Sequence, residues 1–137
     1  QALLEMKRVT RPGGSVLAMA EPDYTGRVDK PGALAPLGRW QDESLRRQGA
    51  DPSLGRRLGE LFHQAGIRLL ETGPMRAGGE RPLSPREREL EWAVLEADLA
   101  GVAPAEEVQK LKRLDEEAWG RGERLLHVPT YFAHGVV

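Results

Sequence analysis

Glu21, Asp23 and Tyr24 stand within four residues of one another, in the run Glu21-Pro22-Asp23-Tyr24, directly after an apolar stretch ending at Ala20. Two carboxylates and a phenol in such a cluster can orient a nucleophilic oxygen or nitrogen and accept its proton. The apolar stretch reads as a strand, and ligands of open α/β sheets gather at strand carboxyl ends. Asp23 and Tyr24 are therefore the candidate catalytic residues, and Glu21 joins them as a candidate substrate contact. The same residues also read as the start of a solvated loop, with Tyr24 packed as a lid. Arg39 and Trp40 follow on a helical segment. Aromatic side chains line small-molecule pockets, although a single tryptophan at helical spacing also reads as core. The pairs Arg46-Arg47 and Arg56-Arg57 read as solvated faces balanced by Asp42, Glu43 and Glu60.

Other chemistries find little support. His63, His127 and His134 lack the spacing of metal ligands, and no H-E-x-x-H helix organises a carboxylate around them. His134 is of interest only if its face of the last strand points to a pocket, and it is kept as a substrate-contact candidate. With no cysteine there is no disulfide frame, thiol nucleophile or thiolate metal site. No serine sits on a strand-to-helix elbow, so a Ser-His-Asp arrangement cannot be argued. Arg11-Pro12-Gly13-Gly14 invites a phosphate-loop reading, but this turn precedes a strand where a phosphate loop precedes a helix. The turn is structural. The Gly120 and Gly122 fragment is equally weak.

The elements that must position these residues are well punctuated. Ala2, Met6 and Val9 recur at helical spacing beside Leu3, and Pro12 with the two glycines ends that helix. Ser15 to Ala20 then suits a strand covered on both faces. Tyr24 to Pro31 reads as loop. Leu34, Leu37, Trp40 and Leu45 form a helical stripe that stops at Gly49. Asp51 and Pro52 read as the cap and first residue of a helix with Leu54, Leu58, Leu61, Phe62 and Ala65 on one face, closed by Gly66. Ile67 to Thr72 reads as a short strand, and 73–83 as a proline- and glycine-rich connection. Ser84-Pro85-Arg86-Glu87 is a capping box opening a helix to about Ala100. A further helix runs from about Pro104 to Trp119. Val128 to Val137 reads as a strand whose ladder begins after Pro129.

With 137 residues, 39% hydrophobic and 30% charged, the chain can hold one domain with its own core, or part of a larger one. No apolar run approaches the ~18 residues of a membrane span, so no membrane partner is expected. A net charge of −1 with interleaved signs gives no basic face for nucleic acid. Sixteen arginines against four lysines fit a GC-rich bacterial source, and a cytoplasmic location follows as the default. The start at Gln1 within a helical pattern, without methionine, predicts a natural N-terminus elsewhere.

The run Leu3 to Tyr24, LLEMKRVTRPGGSVLAMAEPDY, resembles the late part of a Rossmann-like, class I S-adenosylmethionine-dependent methyltransferase. There a helix runs through an RPGG-type turn into the fifth strand, which ends beside the substrate. The passage leading through Ala65-Gly66-Ile67 resembles the family's entry into its sixth strand. The resemblance implies an α/β fold, a partial sheet in which Ser15–Glu21, Val128–Val137 and Ile67–Thr72 stand as strands 5, 7 and 6, the last strand antiparallel between its neighbours. Flanking helices and a helical pair inserted at about 84–120 complete a single, partial C-terminal domain over 1–137. The resemblance covers roughly 1–73 and 128–137.

The activity implied is methyl transfer from S-adenosylmethionine to a small-molecule acceptor. Glu21, Asp23, Tyr24, Arg39, Trp40 and His134 are the implied acceptor contacts. The family's glycine-rich cofactor loop and ribose-binding acid are not found in these residues, so the parent enzyme, and not this chain alone, is expected to bind the cofactor. The alternative is a non-catalytic α/β module for self-association or partner binding. Under the resemblance Ser15–Glu21 also lacks its fourth-strand neighbour, which predicts a homo-oligomer, with Trp92, Leu95, Leu99 and Trp119 as a second associating surface.

Overall fold

The computed structural model describes residues 1–75 and 83–137. In chain order its elements are helix α1 (Ala2–Val9), strands β1 (Ser15–Pro22) and β2 (Val28–Lys30), helices α2 (Ala35–Arg47) and α3 (Leu58–Gln64), strand β3 (Arg68–Pro74), helices α4 (Pro85–Leu99) and α5 (Ala105–Gly120), and strands β4 (Leu125–His127) and β5 (Thr130–Val136). Among the described residues this is an α/β fold of five helices and two antiparallel sheets. The described residues fall into two compact units, one made of 1–23, 53–75 and 129–137, the other of 24–52 and 83–128. Residues 76–82 of the expected connection lie outside the described residues, and Gly73 and Pro74 belong to β3.

The first unit is built on a sheet of order β1-β5-β3. The C-terminal strand β5 lies in the middle and runs antiparallel to both neighbours. α1 ends where Pro12 and Gly13 (φ +75°) turn the chain, and Gly13 N–H and Val137 N–H bond across to Val137 O and Gly14 O at 2.7 and 3.0 Å. Val16, Ile67 and Ala133 bury one face of the sheet under Leu58 and Phe62 of α3. At Gly135 a β-carbon would stand 2.8 Å from Arg68 O and from Ile67 Cγ2. Glycine there lets α3 sit close to the sheet.

Two expectations are corrected in this unit. Leu17 and Met19 are 49% and 57% exposed, so β1 is covered on one face and not on both. The core of this unit gathers on the α3 side, and alternate side chains of a strand point away from it. The helix expected from Asp51 begins later: a 3-10 turn at Gly55–Arg57 precedes α3, which starts at Leu58. Its cause is close packing. A β-carbon on Gly55 would lie 2.4 Å from Glu21 O, so the turn presses directly on the exit of β1.

The second unit is helical, with a small sheet. Leu34, Leu37, Trp92, Leu95, Leu99, Val108 and Leu111 form its core. Trp92, Leu95 and Leu99 are therefore interior, which removes them from the associating surface expected of them; a helix pair must bury one stripe, and theirs meets α2. The capping box at Ser84 is formed, with Glu87 N–H donating to Ser84 Oγ and Ser84 N–H to Glu87 Oε2. The stretch expected to be loop holds β2, which pairs antiparallel with β4. Lone three-residue strands carry no periodic signal of their own.

Candidate functional site

Glu21, Asp23 and His134 fall in the first unit. Asp23 leaves the carboxyl end of β1, its N–H bonded to Pro129 O at 2.8 Å. Its side chain is buried and meets the Arg56 guanidinium as a fork, with Nε 2.8 Å from Oδ2 and Nη2 3.1 Å from Oδ1. Asp23 is thus no part of a solvated loop, and Arg56 is not balanced by Glu60; its neighbour Arg57 is, at 3.0 Å. A carboxylate held bidentately is fixed in orientation, so Asp23 shapes the strand exit and presents little free edge. His134 lies in register with Leu17 on β1 and Glu71 on β3, and its Nε2 is 3.2 Å from Ser15 Oγ.

The exit itself is irregular. The β1–β5 register shifts between Ala18 and Glu21, and Ala20 takes φ +58°. A positive φ at a residue with a β-carbon costs about 1–2 kcal/mol. Ala20 N–H points to Met75 Sδ at 3.2 Å. Such bulges bend a strand and re-aim its end, and here the bulge sits immediately before Glu21.

Tyr24, Arg39 and Trp40 fall in the second unit. Tyr24 opens a 3-10 turn and lines a cavity of about 570 Å³ with Thr25, Gly38, Arg39, Asp42 and Arg46. Two of the sequence-derived candidates, Tyr24 and Arg39, are therefore brought together. Partial burial raises the Tyr24 phenol above its ordinary value; the Asp98 and Glu91 carboxylates add to this and Arg27 opposes it. At neutral pH Tyr24 is then a hydrogen-bond donor, suited to orienting an oxygen or nitrogen rather than removing its proton. Arg46 is paired with Asp42 at 3.0 Å. Trp40 packs partly against the core and lines a separate hollow with Arg39 and Leu114.

The sequence did not reveal a buried polar network in this unit. Arg27 Nε and Nη2 donate to Asp29 at 2.8 and 3.1 Å, and Arg27 Nη1 to Gln41 Oε1 at 2.7 Å. Gln41 passes the chain on to Asp98 at 3.0 Å. Arg124 reaches Asp29 at 2.7 Å and also holds Asp115, whose second oxygen accepts from Trp92 Nε1 at 2.8 Å. No buried side-chain polar atom among the described residues lacks a partner. A closed, satisfied network of this kind joins β2, α2, α4 and α5. Asp29 and Asp115 stand among charged neighbours in the sequence, so no local signal marks them as buried.

The Gly13-Gly14 turn enters the amino end of β1, and its N–H groups are already bonded, Gly13 to Val137 O and Gly14 to Arg11 O at 2.7 and 2.8 Å. Among the same residues no three histidine or acidic side chains converge on a point that could hold a metal ion, and no helix is long and apolar enough to cross a membrane. No protein-family model matches the sequence, and no curated protein matches it.

Proposed function

We propose that this chain is the C-terminal portion of a bacterial, cytoplasmic, Rossmann-like methyltransferase that carries a methyl group from S-adenosylmethionine to a small-molecule acceptor. The observation that carries the reading is the sheet order β1-β5-β3, with the C-terminal strand antiparallel between two strands that run parallel to each other. In this reading β1, β5 and β3 take the places of the family's fifth, seventh and sixth strands. The approach to β1 through α1 and the Arg11 to Gly14 turn supports it too. The cofactor belongs to the parent enzyme, and the part of the work done by these residues is acceptor binding. Tyr24 donates to the acceptor heteroatom, Arg39 takes an acidic or polar group of it, and orientation of this kind contributes most of the rate in a displacement reaction.

The test is made on the full gene product, assayed for transfer of label from methyl-tritiated S-adenosylmethionine to candidate acceptors. The gene is expected to encode a strand, a glycine-rich turn and a helix before the Gln1 codon. A gene with no such segment, or a product that neither binds nor transfers the label, contradicts the reading. The second reading, a non-catalytic module for self-association, is favoured by one feature, the exposed Leu17 and Met19 of β1, which among the described residues is paired with β5 alone.

A further inference from the structure

We propose that Arg39 anchors the carboxylate of an aromatic acid, whose ring lies in the Trp40 hollow and whose neighbouring hydroxyl or amine reaches Tyr24. That this ligand is the methyl acceptor rests on the functional reading; that it binds does not. Arg39 lines both hollows of the second unit, about 570 Å³ beside Tyr24 and about 530 Å³ beside Trp40. The helical repeat shows why. At about 100° per residue, Ala35, Gly38, Asp42 and Arg46 lie to one side of position 39 on α2, and Pro36 and Trp40 to the other. Arg39 is therefore the ridge between a polar hollow and one with an apolar floor, where Trp40 and Leu114 pack partly against the core.

Charge selects an anion. In the Tyr24 hollow both acids are already engaged, Asp42 by Arg46 at 3.0 Å and Asp29 by Arg27 at 2.8 Å and Arg124 at 2.7 Å. In the Trp40 hollow Glu107 meets Lys110 at 3.8 Å and Glu117 meets Arg121 at 3.6 Å. Arg39 and Arg113 meet no carboxylate among the described residues, so the ridge and this rim carry positive charge left over. A guanidinium takes a carboxylate as a two-pronged fork, and an indole adds stacking to a planar ring beside it. Tyr24, kept protonated by partial burial, donates to a neutral heteroatom. Because Arg39 stands between the hollows, a ring held at Trp40 reaches Tyr24 only past the guanidinium. The heteroatom therefore sits next to the carboxylate, in the ortho position.

Calorimetric titration of the chain with ortho-hydroxybenzoate, its neutral amide and inorganic phosphate tests the assignment without the cofactor. The acid is expected to bind with Kd below about 1 mM, and the amide and phosphate at least about tenfold more weakly. In proton–nitrogen spectra the acid should move the Trp40 indole N–H, assigned by Trp40→Phe, and leave those of Trp92 and Trp119. Arg39 is exposed, so Arg39→Met keeps the fold; it should weaken the acid at least about tenfold and leave the amide unchanged. Arg86→Met, far along the chain on α4, should change neither. No binding of the acid, equal binding of the amide or of phosphate, full affinity in Arg39→Met, or a response at Trp92 or Trp119 in place of Trp40 overturns the proposal. The two ideas fail separately. Methyl transfer by the full gene product without binding of the acid contradicts this site alone, whereas binding as expected in a product that transfers no methyl group supports the site and contradicts the functional reading.

Discussion

Asp23 and Arg56 show how a residue chosen for its chemistry can be held by its neighbours. The carboxylate side chain is 4% exposed while the guanidinium is 48% exposed, so removing the arginine leaves a charge in the interior. Arg56→Ala is therefore expected to cost about 2 kcal/mol in urea unfolding, the low end for a broken buried pair because one partner keeps water. Arg57→Ala, whose pair with Glu60 is exposed on both sides, should cost under about 0.5 kcal/mol. Equal effects would contradict the account. Tyr24 gives a pH signature. Its phenol holds its proton more tightly folded than unfolded, so its contribution is present below the ordinary tyrosine value of about 10 and is lost as pH rises through the higher folded value. Urea midpoints should fall more steeply above about pH 10 in the natural chain than in Tyr24→Phe. Parallel curves would count against the raised phenol. Ala20→Gly removes the positive-φ penalty and is expected to stabilise by about 0.5 kcal/mol, the residue of ~1–2 kcal/mol of relief against the entropy glycine adds to the unfolded chain.

At the scale of elements, the Gly55 turn against β1 is the contact most exposed to a single methyl group. With 2.4 Å to Glu21 O and 2.9 Å to Pro22 C and O, a side chain there meets backbone that cannot rotate aside. Gly55→Ala is expected to destabilise by about 2 kcal/mol or more, and thermal melts of that variant beside Gly49→Ala check it. Gly49→Ala meets open space and pays only for its φ of +78°. These elements also show what the residue pattern made legible. The capping box at Ser84, the apolar stripe of α5 and the glycine stops at Gly66 and Gly101 are local, so periodicity and caps placed α4, α5 and the close of α3 closely. β2 and β4 were missed because their pairing joins residues nearly a hundred positions apart and neither has the length for alternation to show. The site was legible only in part. Tyr24 and Arg39 do share a cavity, but the Asp23–Arg56 fork and the Arg27–Asp29–Arg124–Asp115 network depend on long-range packing, and a charged residue on a short segment reads as solvated until its partner is seen.

For the molecule as a whole, two units with separate cores are threaded by one chain that leaves the first unit after Asp23 and returns to it at Ser53 and Pro129. The second unit depends on a network with no unsatisfied buried side-chain atom among the described residues, so Arg124→Met is expected to cost about 3 kcal/mol by taking the cation from Asp115, which keeps the Trp92 Nε1–H, and one of two from Asp29, which keeps Arg27, read in the loss of the folded tryptophan fluorescence on urea titration. The first unit carries the sheet order on which the functional reading rests, and its strand exit leads into the segment that holds Tyr24. The central claim is that these 137 residues are the acceptor-side portion of a methyltransferase. Calorimetric titration of S-adenosylmethionine into the full gene product, run beside the same titration into residues 1–137 alone, addresses that claim most directly. One site per chain in the micromolar range for the full product (~8 kcal/mol of binding free energy), and no heat of binding for residues 1–137, is the result expected; stoichiometric binding to residues 1–137, or none to the full product, would contradict it.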